Sequence, residues 1–259
     1  MPVLTGHDLA FAADESLHGR RQSGILLART RRAAAGAALI LVPTHATARA
    51  VETHLGIPAA RIRVIPFGAD HAPRSPVGSH PLGGQDYILQ VGTLEPRKNH
   101  LRLLRAWREL PPPRPRLVVI GRPGWLCDDV VRALRGTHKE GVRWIPAADD
   151  ATLWRYLSHA RALAYPSLLE GFGFPPIEAM ALGVPVLAAD IPALREVLGD
   201  AAVFAPPTDV EALRTSLERV LHDDAVRRAC IKAGRARAHG LTWDRCAQLH
   251  AEAYTEAGA

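Results

Sequence analysis

Two glutamates stand at the ends of a short segment that is otherwise apolar. Glu170 and Glu178 lie eight positions apart in LLEGFGFPPIEAMALG, residues 168–183. Carboxylates only accept hydrogen bonds, and the neutral hydroxyls of a sugar or a ribose can donate them. The spacing therefore favours two carboxylates that hold hydroxyls of one ligand. The alternative is a helix-capping glutamate together with a surface glutamate, because helix starts favour acidic residues.

The residues between the two glutamates are typical of a ligand-binding loop that leads into a helix. Gly171 and Gly173 allow backbone conformations that other residues avoid, and they let a ligand approach main-chain N–H groups. Pro175 and Pro176 suit the first turn of the following helix. The first glutamate then lies on the loop, and Glu178 lies about one turn inside the helix.

A second candidate site contains two adjacent cations, Arg97 and Lys98, in the segment GTLEPRKN. We predict that they lie at the start of a helix, where free N–H groups also attract anions. Basic side chains at that position oppose the helix dipole unless an anion is present. The pattern therefore indicates a phosphate site, and the alternative is a solvated helix start. A phosphate site beside two carboxylates suits a nucleotide-sugar, which carries hydroxyls at both ends and phosphates between them.

The elements that must position these residues follow from the alternation of short apolar runs with longer helical patterns. This alternation is typical of parallel strands joined by helical crossovers. We therefore predict one complete doubly wound α/β unit over residues 86–240, with its ligand at the carboxyl ends of the strands. Four loops that follow strands are expected to open onto one crevice: VGTLEPRKN, GRPGW, PAADD and SLLEGFGF.

The chain outside this unit is predicted to form three further parts. Residues 1–76 contain two predicted strands, AALILVPT and RIRVIPFG, and two or three helices, which is too little for a full α/β sheet. We interpret 1–76 as a partial N-terminal domain, 77–85 as a turn-rich linker and 241–259 as a C-terminal helix. Within the first part, THATARAVETHLG is predicted to be a helix that Thr44 caps and Gly56 ends.

Composition excludes several classes of protein. Hydrophobic residues are 47% and charged residues 22% of the 259, as in ordinary soluble globular proteins. No apolar stretch is long enough for a membrane span, and the N-terminus lacks the pattern of a signal peptide. The three cysteines are too scattered to indicate a disulfide framework or a zinc site. The net charge of +6 favours a phosphate-bearing substrate, whereas no nucleic-acid-binding module is recognisable.

Taken together, the motifs resemble those of the retaining GT-B glycosyltransferases in the large family 4 group. EGFGFPPIE is similar to the paired-glutamate motif of that group, and VGTLEPRKN is similar to its donor-phosphate loop. GRPGW, AYPSLLEGFG and ALGVPVLAAD follow in the family's order, and the likeness covers about residues 36–255. It implies an α/β protein of GT-B type, with a complete C-terminal Rossmann-like doubly wound domain. The N-terminal Rossmann-like domain is expected to be partial, because the family's first part of that domain does not precede Met1.

The resemblance also implies roles for the residues of the donor-phosphate loop and for one histidine. Arg97 and Lys98 would bind the donor diphosphate and stabilise the charge of the leaving nucleotide. Gly92 and Thr93 belong to the same loop and are predicted to contact the donor. LTGHDLAF resembles a family segment in which a histidine ends an acceptor-domain strand, so His7 is expected to line the reaction centre.

For the loop between the glutamates, the resemblance distinguishes the two carboxylates. Glu170 would hold hydroxyls of the transferred sugar, together with the main chain of Gly171, Phe172 and Gly173. Glu178 would hold the ribose hydroxyls. The predicted catalytic residues are thus Glu170 and the three basic residues named above, His7, Arg97 and Lys98.

The resemblance implies transfer of a sugar from a GDP- or UDP-linked donor to an acceptor hydroxyl, with retention. Mannose or glucose is favoured, and no cofactor or metal is expected because two cations replace a divalent ion. Asp149 is expected to cap a helix rather than to bind metal. The expected partners are the nucleotide-sugar and a glycan or lipid-linked acceptor, with no nucleic acid. The expected location is the cytoplasm, with a peripheral membrane contact left open.

Three other functions remain open at this point. The chain could be a truncated nucleotide-sugar-binding module, or half of a split enzyme, without transfer activity of its own. It could also be an epimerase of GT-B fold that acts on UDP-sugars, although GTLEPRKN favours transfer. Nucleic-acid binding is motivated only by the isoelectric point of about 9.7.

Overall fold

The computed structural model describes residues 2–258, and its strands form where the sequence has short apolar runs. The strands are β1 (Val3–Thr5), β2 (Leu39–Val42), β3 (Ile62–Val64), β4 (Tyr87–Val91), β5 (Arg116–Ile120), β6 (Val142–Ile145), β7 (Ala162–Tyr165), β8 (Val186–Ala189) and β9 (Val203–Ala205). Every residue of β2, β7 and β8 is buried, as expected for parallel strands with helices on both faces.

The helices lie between these strands and in the C-terminal fifth of the chain. They are α1 (Ala10–Ala13), α2 (Arg20–Gly36), α3 (His45–Leu55), α4 (His100–Arg108), α5 (Asp128–Gly136), α6 (Asp150–Ser158), α7 (Phe174–Ala181), α8 (Pro192–Leu198), α9 (Val210–His222), α10 (Asp224–His239) and α11 (Trp243–Gly258).

The predicted helix ends of α3 and α6 are confirmed. The Thr44 hydroxyl accepts a hydrogen bond of 3.1 Å from the Thr47 N–H, and Gly56 ends α3 in the left-handed conformation. Asp149 caps α6 by accepting a 2.8 Å bond from the Thr152 N–H. Such caps satisfy N–H groups that have no partner inside the helix, and each contributes about 1 kcal/mol.

The strands form two separate parallel sheets. The first sheet has the order β1-β2-β3, and the second has the order β6-β5-β4-β7-β8-β9. In the second sheet the strand order reverses between β4 and β7, which are hydrogen-bonded neighbours. This reversal is the topological switch point, where the loops after β4 and β7 diverge and leave a crevice for a ligand.

One hydrophobic cluster contains residues of both sheets, and each sheet also has a separate cluster of its own. Leu41 of β2 and Leu163 of β7 belong to the same cluster of buried side chains, and Phe67 joins it from the segment after β3. Helix α11 also contacts the first sheet, because Glu256 near the end of this helix forms an ion pair with Arg63 of β3. Burial of each such apolar side chain contributes about 1.5–3 kcal/mol.

The structure differs from the sequence predictions at three points. The first 76 residues contain three strands rather than two, because β1 is a short edge strand of three residues. The sequence of residues 209–257 predicts helix with one break, near HGLTW, whereas the structure has a further break at Asp223, which ends α9 and caps α10. Arg97 and Lys98 lie in a 3₁₀ turn, Pro96–Lys98, rather than in the first turn of α4.

Within residues 2–258, none of the helices combines the length and the apolar character that crossing a bilayer requires.

Candidate active site

A cavity of about 430 Å³ opens at the switch point, between the loops that follow β4 and β7. Its wall contains every predicted site residue except Glu178. These wall residues are His7, Gly92, Thr93, Arg97, Lys98, Glu170, Gly171, Phe172 and Gly173. His7 follows β1 of the first sheet, whereas the other predicted wall residues lie on loops after β4 and β7 of the second sheet, so the cavity lies between the two sheets.

The two cations reach the cavity from a turn and not from a helix. Asn99 follows them with a φ of 60°, and α4 begins only at His100. Asparagine tolerates this left-handed conformation better than most residues do. The Asn99 amide is held by two carbonyls, those of Pro166 and Pro207, at 2.9 and 2.6 Å. The turn is therefore tied to the loop after β7.

Four charged side chains form a buried network at the back of the cavity. Glu170 accepts hydrogen bonds from Arg97 Nη1 at 2.9 Å and from Lys98 Nζ at 2.6 Å. Arg97 Nη2 also lies 2.7 Å from Glu95 Oε1. The side chains of Arg97 and Lys98 are 12% exposed, that of Glu170 is 7% and that of Glu95 is 1%. Two cations thus balance two carboxylates in a poorly solvated site.

The pKa values of the two carboxylates shift in opposite directions. Burial acts to raise the pKa of Glu170, but Lys98 and Arg97 outweigh it and hold this pKa below its usual value. Burial also raises the pKa of Glu95, and there Arg97 and Lys98 offset it only in part. Glu170 is therefore ionised, and it binds both cations.

Tyr165 at the end of β7 orients one of these cations. Lys98 Nζ donates a hydrogen bond of 2.9 Å to the Tyr165 hydroxyl oxygen. Burial, followed by the charge of Glu170, raises the pKa of Tyr165 well above its usual value, so the phenol stays neutral. A neutral phenol oxygen accepts a hydrogen bond from the lysine ammonium, and the lysine keeps its charge.

The glycine-rich loop packs against the first sheet so closely that its first glycine has no room for a side chain. A Cβ on Gly171 would overlap the carbonyl oxygen of His7. The Gly171 carbonyl accepts a hydrogen bond of 2.9 Å from the Thr44 hydroxyl at the start of α3. Gly173 has a φ of 93° and stands immediately before α7. These contacts bring His7 to the edge of the cavity.

Glu178 lies inside α7, as predicted, but outside the wall of this cavity. Its side chain is only 12% exposed, so the alternative of a surface glutamate is wrong. His71 Nε2 lies 3.0 Å from Glu178 Oε1. Burial raises the pKa of Glu178, and the hydrogen bond from His71 opposes this shift.

Sequence reasoning missed four wall residues that carry a polar group: Asp8, Glu95, Trp125 and Tyr165. All four stood inside motifs that had been singled out, but a motif does not show which of its side chains turn inward. Asp8 Oδ1 accepts a hydrogen bond of 3.0 Å from the Ala10 N–H. The Trp125 indole N–H donates to the Leu17 carbonyl at 2.7 Å. The described residues contain no cluster of three or more side chains suited to hold a metal ion.

Comparison with known proteins gives two family matches that together span both sheets. A family model described as "Glycosyl transferases group 1" matches residues 77–237. A second model, described as "Glycosyltransferase Family 4", matches residues 3–72.

One similar relative is the O-antigen chain mannosyltransferase B of Escherichia coli. It is 34% identical over 265 residues, which cover 97% of this chain and 69% of the relative. Sucrose-phosphate synthase from Thermosynechococcus elongatus is a similar solved structure, with a TM-score of 0.82, 25% identity and coverage of 98% of this chain and 67% of that one. Anabaena Alr3699/HepE in complex with UDP and glucose has the same TM-score of 0.82, with 20% identity and coverage of 98% and 72%.

Proposed function

The chain belongs to the glycosyl transferases of group 1, and from this premise we propose that it moves a hexosyl group from a nucleotide-sugar to an acceptor hydroxyl. The observation that carries the proposal is the convergence of Arg97, Lys98 and Glu170 at the switch point of the second sheet. Such a cavity offers cations for a diphosphate and a carboxylate for sugar hydroxyls.

In this proposal the donor diphosphate displaces Glu170 from the two cations. Glu170 bonds both cations with its two oxygens, so the carboxylate occupies the position that phosphate oxygens would take. Once the diphosphate binds Arg97 and Lys98, Glu170 is free to accept hydrogen bonds from the sugar. Glu95 stays on Arg97 and keeps the guanidinium in place.

Transfer then requires the departure of the nucleoside diphosphate. The bond between the anomeric carbon and the phosphate oxygen breaks, and a bond from the acceptor oxygen to that carbon forms. The acceptor proton passes to the departing phosphate oxygen. Arg97 and Lys98 stabilise the charge that develops there, and preorganised donors of this kind contribute about 3–4 kcal/mol each.

We propose that the transfer retains the anomeric configuration, with acceptor and leaving group on the same face of the sugar. The resemblance of the motifs to those of the retaining GT-B glycosyltransferases supports this proposal. His7 lies at the edge of the cavity and is proposed to line the reaction centre.

For the donor we propose a GDP-linked mannose first and a UDP-linked glucose second. The mannosyltransferase of Escherichia coli supports the first, and the Anabaena protein with UDP and glucose supports the second. We propose that no metal cofactor is needed, because two cations already face the diphosphate. Residues 86–240 would bind the donor, with Gly92, Thr93 and the main chain of 171–173 in contact with it.

The acceptor is proposed to be a glycan or a lipid-linked glycan, reached from the side of residues 1–76. A cytoplasmic location with peripheral membrane contact would suit a lipid-linked acceptor. The relative that acts on O-antigen chains supports a glycan.

The test is a transfer assay on the full chain with GDP-mannose and UDP-glucose, using methyl α-mannoside as the acceptor probe. Lys98→Ala is expected to lower the rate by about a hundredfold or more, because one donor to the leaving oxygen is lost. Lys139→Ala is the matched control, because Lys139 is exposed on a distant turn. A Lys98→Ala variant with the control's rate would contradict the proposed role. Nucleotide binding by the wild type without any transfer would instead favour a binding module.

A further inference from the structure

A second hydrogen-bonded cluster joins three distant parts of the chain beside the main cavity. It contains His71 from the segment after β3, Glu178 from α7 and Trp243 at the start of α11. The Trp243 indole Nε1 lies 3.0 Å from His71 Nδ1, and His71 Nε2 lies 3.0 Å from Glu178 Oε1. The imidazole therefore bridges an indole and a carboxylate with its two nitrogens.

The chemistry of the two neighbours fixes the tautomer of neutral His71. An indole N–H can only donate, so Nδ1 must accept from Trp243. The single imidazole proton then lies on Nε2, where it is donated to the Glu178 carboxylate. Trp243 and Glu178 thus select the same tautomer from opposite sides of the ring.

The cluster holds one oxygen of Glu178 and leaves the other available. Oε1 is engaged by His71, and no group in residues 2–258 donates a hydrogen bond to Oε2. The glutamate side chain is 12% exposed and the histidine 35%, so the carboxylate is largely desolvated but still reachable. A carboxylate with one fixed and one accessible oxygen is well suited to accept from a hydroxyl of a ligand.

Hydrogen bonds and close packing join the segment around His71 to the start of α11. Asp70 Oδ1 accepts a hydrogen bond of 2.8 Å from the Trp243 N–H, and the Ala69 N–H donates to the Leu241 carbonyl at 2.9 Å. A Cβ on Gly68 would overlap the main chain of Trp243. These contacts attach the segment that carries His71 to the start of α11, and they place the imidazole beside Glu178.

We propose that His71 is a positioning residue for nucleotide binding: it fixes the Glu178 carboxylate for the ribose hydroxyls, and Trp243 sets its tautomer. The inference rests on the proposed function, in which Glu178 binds the ribose of the donor. It adds a residue that none of the motifs contains, and it acts on the affinity for the ribose rather than on the transfer step. Burial raises the pKa of Glu178, and the hydrogen bond from His71 opposes this shift, so the histidine favours the ionised carboxylate.

The experiment compares nucleotides with and without ribose hydroxyls on the full chain. Calorimetry would measure Kd for GDP and UDP and for their 2′,3′-dideoxy forms. The wild type is expected to bind the hydroxyl-bearing nucleotide about tenfold to a hundredfold more tightly, as for a hydrogen bond to a charged acceptor. In His71→Ala this preference should fall to about threefold or less, while Kd of the dideoxy nucleotide changes by less than about twofold.

Two variants and one spectrum separate positioning from a purely structural role. His71→Gln keeps an N–H that can reach Glu178 and is expected to retain most of the preference, which also carries the test if His71→Ala does not fold. His138→Ala, on an exposed turn, is the control and should behave as the wild type. The ¹⁵N spectrum of labelled histidine should show Nε2 of His71 protonated and Nδ1 unprotonated.

The outcomes distinguish the failure of this inference from the failure of the proposed function. A wild type that binds no nucleotide would overturn both. Binding with the hydroxyl preference unchanged in His71→Ala, or increased, would overturn the positioning role and leave the donor site intact. A proton on Nδ1 of His71 in the neutral state would overturn the assignment of the tautomer.

Discussion

The charge network of the cavity predicts an unusual response to the neutralisation of Glu170. Glu170→Gln keeps the shape of the side chain but removes one of two carboxylates that balance Arg97 and Lys98. The variant therefore has one uncompensated buried cation when no ligand is bound. We expect a loss of stability in the free protein together with a gain in affinity for a diphosphate anion.

The magnitude follows from burial. The three side chains are between 7 and 12% exposed, and removal of one partner from a buried ion pair costs about 3–5 kcal/mol. For a chain of this size, 1 kcal/mol shifts Tm by about 2–4 °C, so Tm should fall by about 10 °C. In Glu170→Gln, pyrophosphate no longer competes with the Glu170 carboxylate for the cations. The affinity of the variant for pyrophosphate should rise by about tenfold or more, which corresponds to about 1.4 kcal/mol.

The assay is thermal unfolding of wild type and variant, without ligand and with increasing pyrophosphate. Glu140→Gln is a matched control, because Glu140 forms a bidentate pair with Arg108 at 2.8 Å but its side chain is 37% exposed. The control should cost less than about 1 kcal/mol and should not change the response to pyrophosphate. Sugar transfer should be lost in Glu170→Gln and kept in Glu140→Gln.

A Glu170→Gln variant that is no less stable than the exposed control, and that binds pyrophosphate no better than the wild type, would contradict this prediction. That result would mean that Glu170 does not compete with phosphate for the cations.

Two further predictions concern pH. Burial raises the pKa of Glu178, and the ionised carboxylate is the form that accepts hydrogen bonds from the ribose hydroxyls, so nucleotide affinity should begin to fall at a higher pH than for an exposed glutamate. Calorimetry between pH 7 and 4.5 checks this prediction. The Glu178→Gln variant should show no such pH dependence of affinity. Burial lowers the pKa of His100 to about 3, so the unfolded chain binds the proton first and stability is lost as pH falls from about 6.5 towards 3. His100→Leu should lose about 2 kcal/mol less than the wild type between pH 7 and pH 5 in urea unfolding, and equal losses would contradict the assignment.

Much of the fold could be predicted because it depends on short-range patterns. Apolar runs of four or five residues became strands of the second sheet, and Thr44 and Asp149 cap helices by contacts within three residues. Strand β1 could not be predicted from an apolar run. It is three residues long and lies at the edge of its sheet, where burial does not impose an apolar run.

The candidate site could be predicted as a location but not as a set of contacts. The rule that ligands bind at the carboxyl ends of parallel strands brought the loops after β4 and β7 together, and nine predicted residues line one cavity there. The pairing of Glu170 with Arg97 and Lys98 joins residues more than 70 positions apart, and no local pattern indicates which carboxylate reaches which cation. Because the chain turns at Asn99, Arg97 and Lys98 lie before helix α4 and not in its first turn.

His71 shows the same limit more strongly. It stands 107 positions from Glu178 and 172 from Trp243, outside every motif that the sequence displays. The contact of His71 with Trp243 forms because α11 packs against the first sheet, and no local sequence pattern indicates that packing.

A crystal structure of this chain with a nucleotide-sugar bound would test the proposed donor site. We expect the diphosphate between Arg97 and Lys98, with Glu170 turned from the cations to the sugar and the ribose on Glu178. A nucleotide bound elsewhere, or a diphosphate that leaves the contacts of Glu170 with both cations in place, would contradict the proposed site.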